Sequence, residues 1–319
     1  KICNKFDTLL TESVAEHFEA DAPVGIMFSA GLDSTLIAAI AKKCSNKPVH
    51  LFKFSSENLK DDKLAKDFAE KFNMKLIEVK SSAEEMLLNL PKIIYHYETI
   101  NKCEGPALGK TCKIAREHGF KALLTGDASD ELFGGYYSQQ SFLLRTFLQN
   151  NIFTPKISSY LSKAIPFFKY LQFPKWDYIL NPFTPDITEG PLNFLFWKGH
   201  RLKEWNESCE AYSFLKSKTI AEVNSYLLDE LQYRLERFMI RADSYGMMES
   251  VELRLPFLDK RVVNFALNLS VKNKIKFGPS WKRKSLFTGK KINRQVAKKY
   301  GINNSIVNRV QIGTPYPGR

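Results

Sequence analysis

Residues 24–34, VGIMFSAGLDS, run directly into TLIAAIAKKC at 35–44. Four apolar or strand-compatible residues lead into a turn of small residues and an aspartate, and an alanine-rich segment follows. The pattern is strand, tight loop, helix start. The loop N–H groups, the hydroxyls of Ser29 and Ser34 and the positive end of the helix dipole converge where an anion would sit. Gly31 lets the backbone come close to it. This is a phosphate cradle, but not the common mononucleotide loop, whose pattern ends in Gly-Lys-Ser/Thr; here Asp33 takes the lysine-like place. A carboxylate beside a phosphate needs a divalent cation between the two anions, so magnesium is implied. The competing reading is an ordinary strand-to-helix turn of small residues.

The SxGxDS pattern resembles the pyrophosphate loop of ATP pyrophosphatases, enzymes that split ATP between its α and β phosphates. Residues 5–20 place Phe6, Leu9, Leu10, Val14 and Phe18 on one helical face ahead of the first strand. PVHLFKF (48–54) reads as a second strand, and Leu64, Phe68 and Phe72 mark the helix after it. MKLIEV (74–79) is a third strand, helical patterns cover about 83–97 and 106–118, and KALLTG (121–126) is a fourth strand. Such alternation predicts an α/β fold, a parallel sheet with helices on both faces, in which ligands sit at the carboxyl ends of the strands. Beyond Tyr137 the alternation stops. Residues 138–200 are rich in Phe, Tyr, Trp and Pro, and 210–270 look helical, so the carboxyl-terminal half is expected to be mostly helical.

The chain has 319 residues, 44% hydrophobic and 25% charged, which describes a globular protein with room for one large core or two smaller ones. No run approaches the ~20 apolar residues of a membrane-spanning helix. Five cysteines form no CxxC pair and no metal-ligand spacing, which suits a reducing compartment, with the cytoplasm expected. The net charge of +13 lies wholly in the tail: residues 271–319 carry thirteen Lys or Arg and no Asp or Glu, leaving 34 basic against 34 acidic residues before them. A basic tail can bind nucleic acid, close over nucleotide phosphates, face an acidic segment elsewhere, or simply be a solvated face.

A second signal is LLTGDASDELFGGYY, residues 123–137, where Asp127, Asp130 and Glu131 crowd at the end of the fourth strand. Carboxylates this close repel unless a cation or base chemistry uses them, and Asp130 is placed to share a metal with Asp33. Capping of a helix N-terminus is the alternative. Together with SVELRLPFLDKRVVNFA (250–266), these stretches resemble, in order and spacing, the synthetase domain of asparagine synthetases and the amide ligases built on it, including β-lactam synthetase-like enzymes. The resemblance covers essentially residues 1–319, as a nucleotide-binding core at about 5–140 and a helical, aromatic-rich region at about 141–319.

The resemblance implies ATP and Mg2+. Ser29, Gly31, Asp33 and Ser34 would surround the phosphates, main-chain groups near Met27, Phe54 and Gly126 would lie along the adenosine, and Asp33 and Asp130 would hold the magnesium. Lys290, opening KKINR in the family's K-x-hydrophobic-x-R pattern, would stabilise the adenylation transition state, with Lys291 the alternative alignment. Arg241 matches a basic position facing the active site. Asp127 stands where the family has glutamate and would position or deprotonate the amine, with a shorter reach. Ala30 replaces a common glycine and Gln311 a common lysine. The family's glutaminase domain, with its N-terminal cysteine, is expected to be absent from this sequence; Cys3 does not match that cysteine.

The function implied is ATP-dependent formation of an amide: a carboxylate is adenylated, pyrophosphate leaves, and the acyl group passes to ammonia, from a glutaminase domain or partner, or to another amine. An intramolecular lactam- or macrolactam-forming reaction belongs to the same scheme. A pyrophosphate-loop enzyme modifying tRNA is the alternative, weakened by the lack of added cysteine motifs, and a degenerate ATP-sensing or scaffold domain is the reading outside enzymes. No membrane partner is expected, nucleic acid is disfavoured, and a homodimer is compatible. Triad-type hydrolysis has no support, since no Ser or Cys sits in a nucleophile-elbow context.

Overall fold

The computed structural model describes residues 1–55, 59–97, 105–136, 139, 227, 231, 235–280 and 285–309. The first half runs α1 (Ile2–Phe18), β1 (Val24–Met27), α2 (Leu32–Cys44), β2 (His50–Phe54), α3 (Leu59–Lys71), β3 (Lys75–Val79), α4 (Ala83–Leu88), α5 (Leu90–Tyr97), α6 (Gly105–Glu117), β4 (Ala122–Leu124) and α7 (Ser129–Phe133). After the undescribed stretch come α8 (Glu236–Met248), β5 (Glu252–Arg254), a 3-10 turn (Pro256–Leu258), α9 (Lys260–Leu267), α10 (Val271–Lys274), β6 (Lys276–Ser280), β7 (Ser285–Thr288), α11 (Lys291–Lys299) and α12 (Asn304–Val307). The chain forms two compact units, Lys1–Ser129 with Arg234–Ala266 and Ile292–Arg319, and Asp130–Tyr233 with Leu267–Lys291.

The first unit is built on a five-stranded sheet in the order β3-β2-β1-β4-β5, with every pairing parallel. Neighbouring residues of a strand point to opposite faces. Leu51 and Phe52, like Leu123 and Leu124, are all 0% exposed, so both faces of the sheet are covered. On one face Met27, Phe52, Ile77, Leu123 and Leu253 pack with Leu108, Cys112, Ile114 and Ala115 of α6. Gly25 belongs to this layer: a Cβ there would lie 2.7 Å from Phe52 and 2.9 Å from Leu123, so the space left for its side chain is already filled. Helix α2 is buried from Ser34 to Ala41 and packs against α1. The amphipathic stripe of α1 buries Phe6, Leu10 and Val14, with Phe6 stacked on Phe265 at 5.7 Å. No helix among the described residues is long and apolar enough to cross a membrane.

The α/β parallel sheet follows the expectation, with differences in detail. The helical stretch at 83–97 is two helices, because Pro91 has no N–H to give to the carbonyl of Leu87. The fourth strand shrinks to three residues, and a fifth strand, Glu252–Arg254, lies inside the stretch read as helical. Three residues are too few to show an alternation of their own. The strand exists because β4 supplies a partner, continued by bonds from Thr125 N to the Arg254 carbonyl at 2.9 Å and from Glu252 N to the Lys121 carbonyl at 2.8 Å. In the second unit β6 and β7 form an antiparallel pair within the basic tail, also unforeseen. The aromatic-rich residues 138–200 and Gln311 lie outside the described residues, except for Gln139.

Candidate active site

Chain order reverses between β1 and β4, which makes their carboxyl ends the switch point where open α/β sheets hold ligands. The loops that follow these two strands meet there. After β1 the loop is knitted by its serines: Ser29 N donates to Ser34 Oγ at 3.2 Å, the two hydroxyls lie 3.0 Å apart, and Gly31 N donates to Ser29 Oγ at 3.2 Å. Gly31 is the N-cap of α2 and, having no side chain, offers no side-chain acceptor to the first-turn N–H groups of the helix. The peptide at Ala30 turns with φ 54°, and Ala128 in the other loop has φ 72°. Both alanines are buried, so each loop holds a left-handed residue that carries a methyl group.

The second loop presses on the first. A Cβ on Gly126 would stand 2.8 Å from Ser34 N and 3.0 Å from the Asp33 Cβ, so only glycine permits this approach. Ser129, the first residue of α7, donates its hydroxyl to Asp33 Oδ1 at 2.6 Å, and Asn293 Nδ2 of α11 donates to the same Ser129 oxygen at 2.9 Å. The tail adds a second tie: the Arg309 guanidinium bonds the Ala30 carbonyl at 3.3 Å and Asp61 Oδ2 of α3 at 2.6 Å. Met27 and Phe54 end β1 and β2. Beside Phe54, the nearly fully buried Lys53 ion-pairs with Asp62, whose other oxygen accepts from Ser55 Oγ at 2.8 Å. Burial pushes the Asp62 carboxyl up, but the hydrogen bonds from Lys53 and Ser55 and the nearby lysine charges outweigh it and hold the group below its ordinary value.

In the second unit Lys290 Nζ lies 2.6 Å from Asp130 Oδ1, with side chains only 5% and 16% exposed. Lys290 has φ 58°, and its N–H donates to the Phe133 carbonyl at 2.9 Å. Gly135 is obligatory beside this pair: a Cβ there would come within 1.7 Å of Asp130 Oδ1 and 2.4 Å of Lys290 Cε. The alternative lysine, Lys291, instead donates to the Lys272 carbonyl at 2.7 Å.

Ser29, Gly31, Asp33, Ser34 and Gly126 are thus brought together in one unit, and Asp130 and Lys290 in the other. The three crowded carboxylates divide: Asp127 is exposed, Asp130 pairs with Lys290, and the buried Glu131 accepts from the Tyr136 hydroxyl at 2.8 Å. Arg241 lies on α8 with its side chain outside the described residues. Neither Ser129 nor Asn293 stands out in the sequence by residue type. The available signal is an Asn on the otherwise apolar face Ile292, Val296, Ala297 of α11.

The sequence matches the Asparagine synthase family over residues 5–319, and the chain belongs to that family. It is 24% identical to asparagine synthetase [glutamine-hydrolyzing] 1 of Bacillus subtilis (strain 168), over 100% of this chain and 50% of that protein. It is 27% identical to a putative asparagine synthetase [glutamine-hydrolyzing] of Mycobacterium bovis, over 85% of this chain and 43% of that protein. It is 34% identical to putative asparagine synthetase [glutamine-hydrolyzing] 1 of Methanocaldococcus jannaschii, over 41% of this chain and 24% of that protein. The chain therefore spans about half the length of the first two relatives.

Proposed function

We propose that the chain is an ATP-dependent, AMP-forming ligase that adenylates a carboxylate, releases pyrophosphate and passes the acyl group to ammonia or another amine. The observation carrying this reading is the meeting of the two loops at the switch point, where Gly126 lies against the first turn of α2 and Ser129 bonds Asp33 at 2.6 Å. Family membership and relatives named as glutamine-hydrolysing asparagine synthetases support it.

In this reading the pyrophosphate end of ATP lies over the α2 N-terminus, held by backbone N–H groups and by Ser29, Gly31 and Ser34. Main-chain groups at Met27, Phe54 and Gly126 line the adenosine. The oxygen donors of Asp33 and Asp130 suit a hard divalent cation, and these two residues would hold Mg2+. The partly exposed Asp33 carboxylate, turned by Ser129 at the mouth of the anion-binding helix end, fits that role. When bound, the ion supplies neutralisation of charge on the departing pyrophosphate.

A substrate carboxylate oxygen attacks the α-phosphorus, the bond from that phosphorus to the bridging oxygen breaks, and pyrophosphate leaves with the electron pair. Lys290 balances charge on the phosphoryl oxygens as it spreads. The amine nitrogen then attacks the acyl carbon, the acyl–oxygen bond breaks, and AMP departs. Asp127, exposed at the end of β4, takes the proton released from the amine. We place the protein in the cytoplasm, with ammonia delivered by a glutaminase domain or partner protein.

The first half-reaction is testable alone. Label should exchange between pyrophosphate and ATP in the presence of at least one acid from a panel of amino acids and peptide acids. Absence of acid-dependent exchange across the whole panel would overturn the proposal.

A further inference from the structure

We infer that Asn293 is a positioning residue for the Asp33 carboxylate, acting through the hydroxyl of Ser129. The inference rests on the reading above, in which Asp33 holds the cation that accompanies ATP.

The polarity of the relay follows from proton counting. Ser129 has one hydroxyl proton, and a carboxylate only accepts, so the 2.6 Å bond uses that proton on Asp33 Oδ1. The lone pairs left on the Ser129 oxygen then take the Asn293 Nδ2 donor at 2.9 Å, which also fixes which way the amide faces. A hydroxyl that receives one hydrogen bond is polarised toward giving another. The amide therefore locks the Ser129 rotor with its proton on Asp33.

Packing does not explain an asparagine here. Asn293 is 0% exposed, on the same face as Ile292, Val296 and Ala297, and its Oδ1 meets no donor among the described residues. A buried carbonyl left unmet is destabilising, so packing alone favours an apolar side chain. What an apolar residue cannot give is the donor to Ser129. Groups that orient a metal ligand from behind typically change metal affinity or activity about 10–100-fold when removed.

The test titrates ATP into the full chain by calorimetry, at a series of Mg2+ concentrations and in EDTA. Asn293→Leu should weaken Mg2+-dependent ATP binding about 10–100-fold, leave binding in EDTA unchanged, and keep or raise the melting temperature. In a Ser129→Ala background the same substitution should have no further effect on Mg2+ dependence, since the relay is already cut. Asn293→Ala gives the same comparison if leucine prevents folding. Wild-type Mg2+ dependence in a folded Asn293 variant overturns the inference, and so does an equal loss with and without Mg2+. If the wild-type chain itself binds no ATP with Mg2+, the ligase reading fails and takes the inference with it; a binding wild type with an indifferent variant removes only the inference.

Discussion

Asp33 and Asp130 are proposed to hold one cation, yet their units hold them by opposite means. Asp33 sits in the first turn of α2, partly exposed, and is turned by the neutral hydroxyl of Ser129. Asp130 is mostly buried, and its charge is met by the ammonium of Lys290 at 2.6 Å. A hydroxyl orients a carboxylate without changing the local charge, whereas a buried ammonium cancels it and becomes dependent on it. Removing Asp33 should therefore damage chemistry and spare the fold, while removing Asp130 should damage both.

The largest expected effect is on Asp130. Asp130→Ala leaves the Lys290 side chain, 5% exposed, without its carboxylate, and breaking a buried pair from one side costs about 3–5 kcal/mol. Denaturant unfolding measures this, and a loss below about 1 kcal/mol would show that the pair behaves like an exposed one. Next comes Asp33→Asn, which keeps an oxygen to accept from Ser129 but loses the charge. Stability should change by less than about 1 kcal/mol, while acid-dependent pyrophosphate exchange should fall about 100-fold, equivalent to roughly 2.7 kcal/mol. Near-normal exchange in that variant would reject the cation role and erase the contrast between the two carboxylates.

The contrast was only half legible in the sequence. The strand, small-residue loop and alanine-rich helix at 24–44 announced themselves because a loop that must approach a ligand permits few residue types, and the β1–α2 geometry follows from them. Gly126 was named only through the family resemblance, and its close approach to Asp33, which admits no Cβ, is visible only in the structure. Pairings across long separations left weaker marks. Lys290 looks like any lysine of a basic tail, and its burial against Asp130 depends on Gly135 and on the Phe133 carbonyl, 155 or more residues away. Strand β5 is too short to carry a period, and Asn293 shows its role only when α11 is seen to bring it to Ser129. What local backbone chemistry imposes can be read from residue types; what tertiary pairing imposes on an ordinary residue type cannot.

The smallest effect concerns Ala30. Its φ of 54° lies in the left-handed region, which costs an alanine roughly 1–2 kcal/mol, and glycine would remove that strain. Two opposing contributions accompany the change. Glycine has more freedom to lose on folding, about 0.4–1 kcal/mol, and the methyl group of Ala30, 0% exposed, contributes about 0.8 kcal/mol by its burial. These nearly cancel, so Ala30→Gly should shift stability by less than about 0.5 kcal/mol, within the range of a neutral substitution. Chemical denaturation of the two proteins checks the balance. A gain well above that range would mean that strain dominates at the loop, and a matching loss would mean that the buried methyl does. Either result would make the loop holding Asp33 as energetically committed as the pair that holds Asp130, and the division between an oriented carboxylate and a neutralised one would lose its basis in stability.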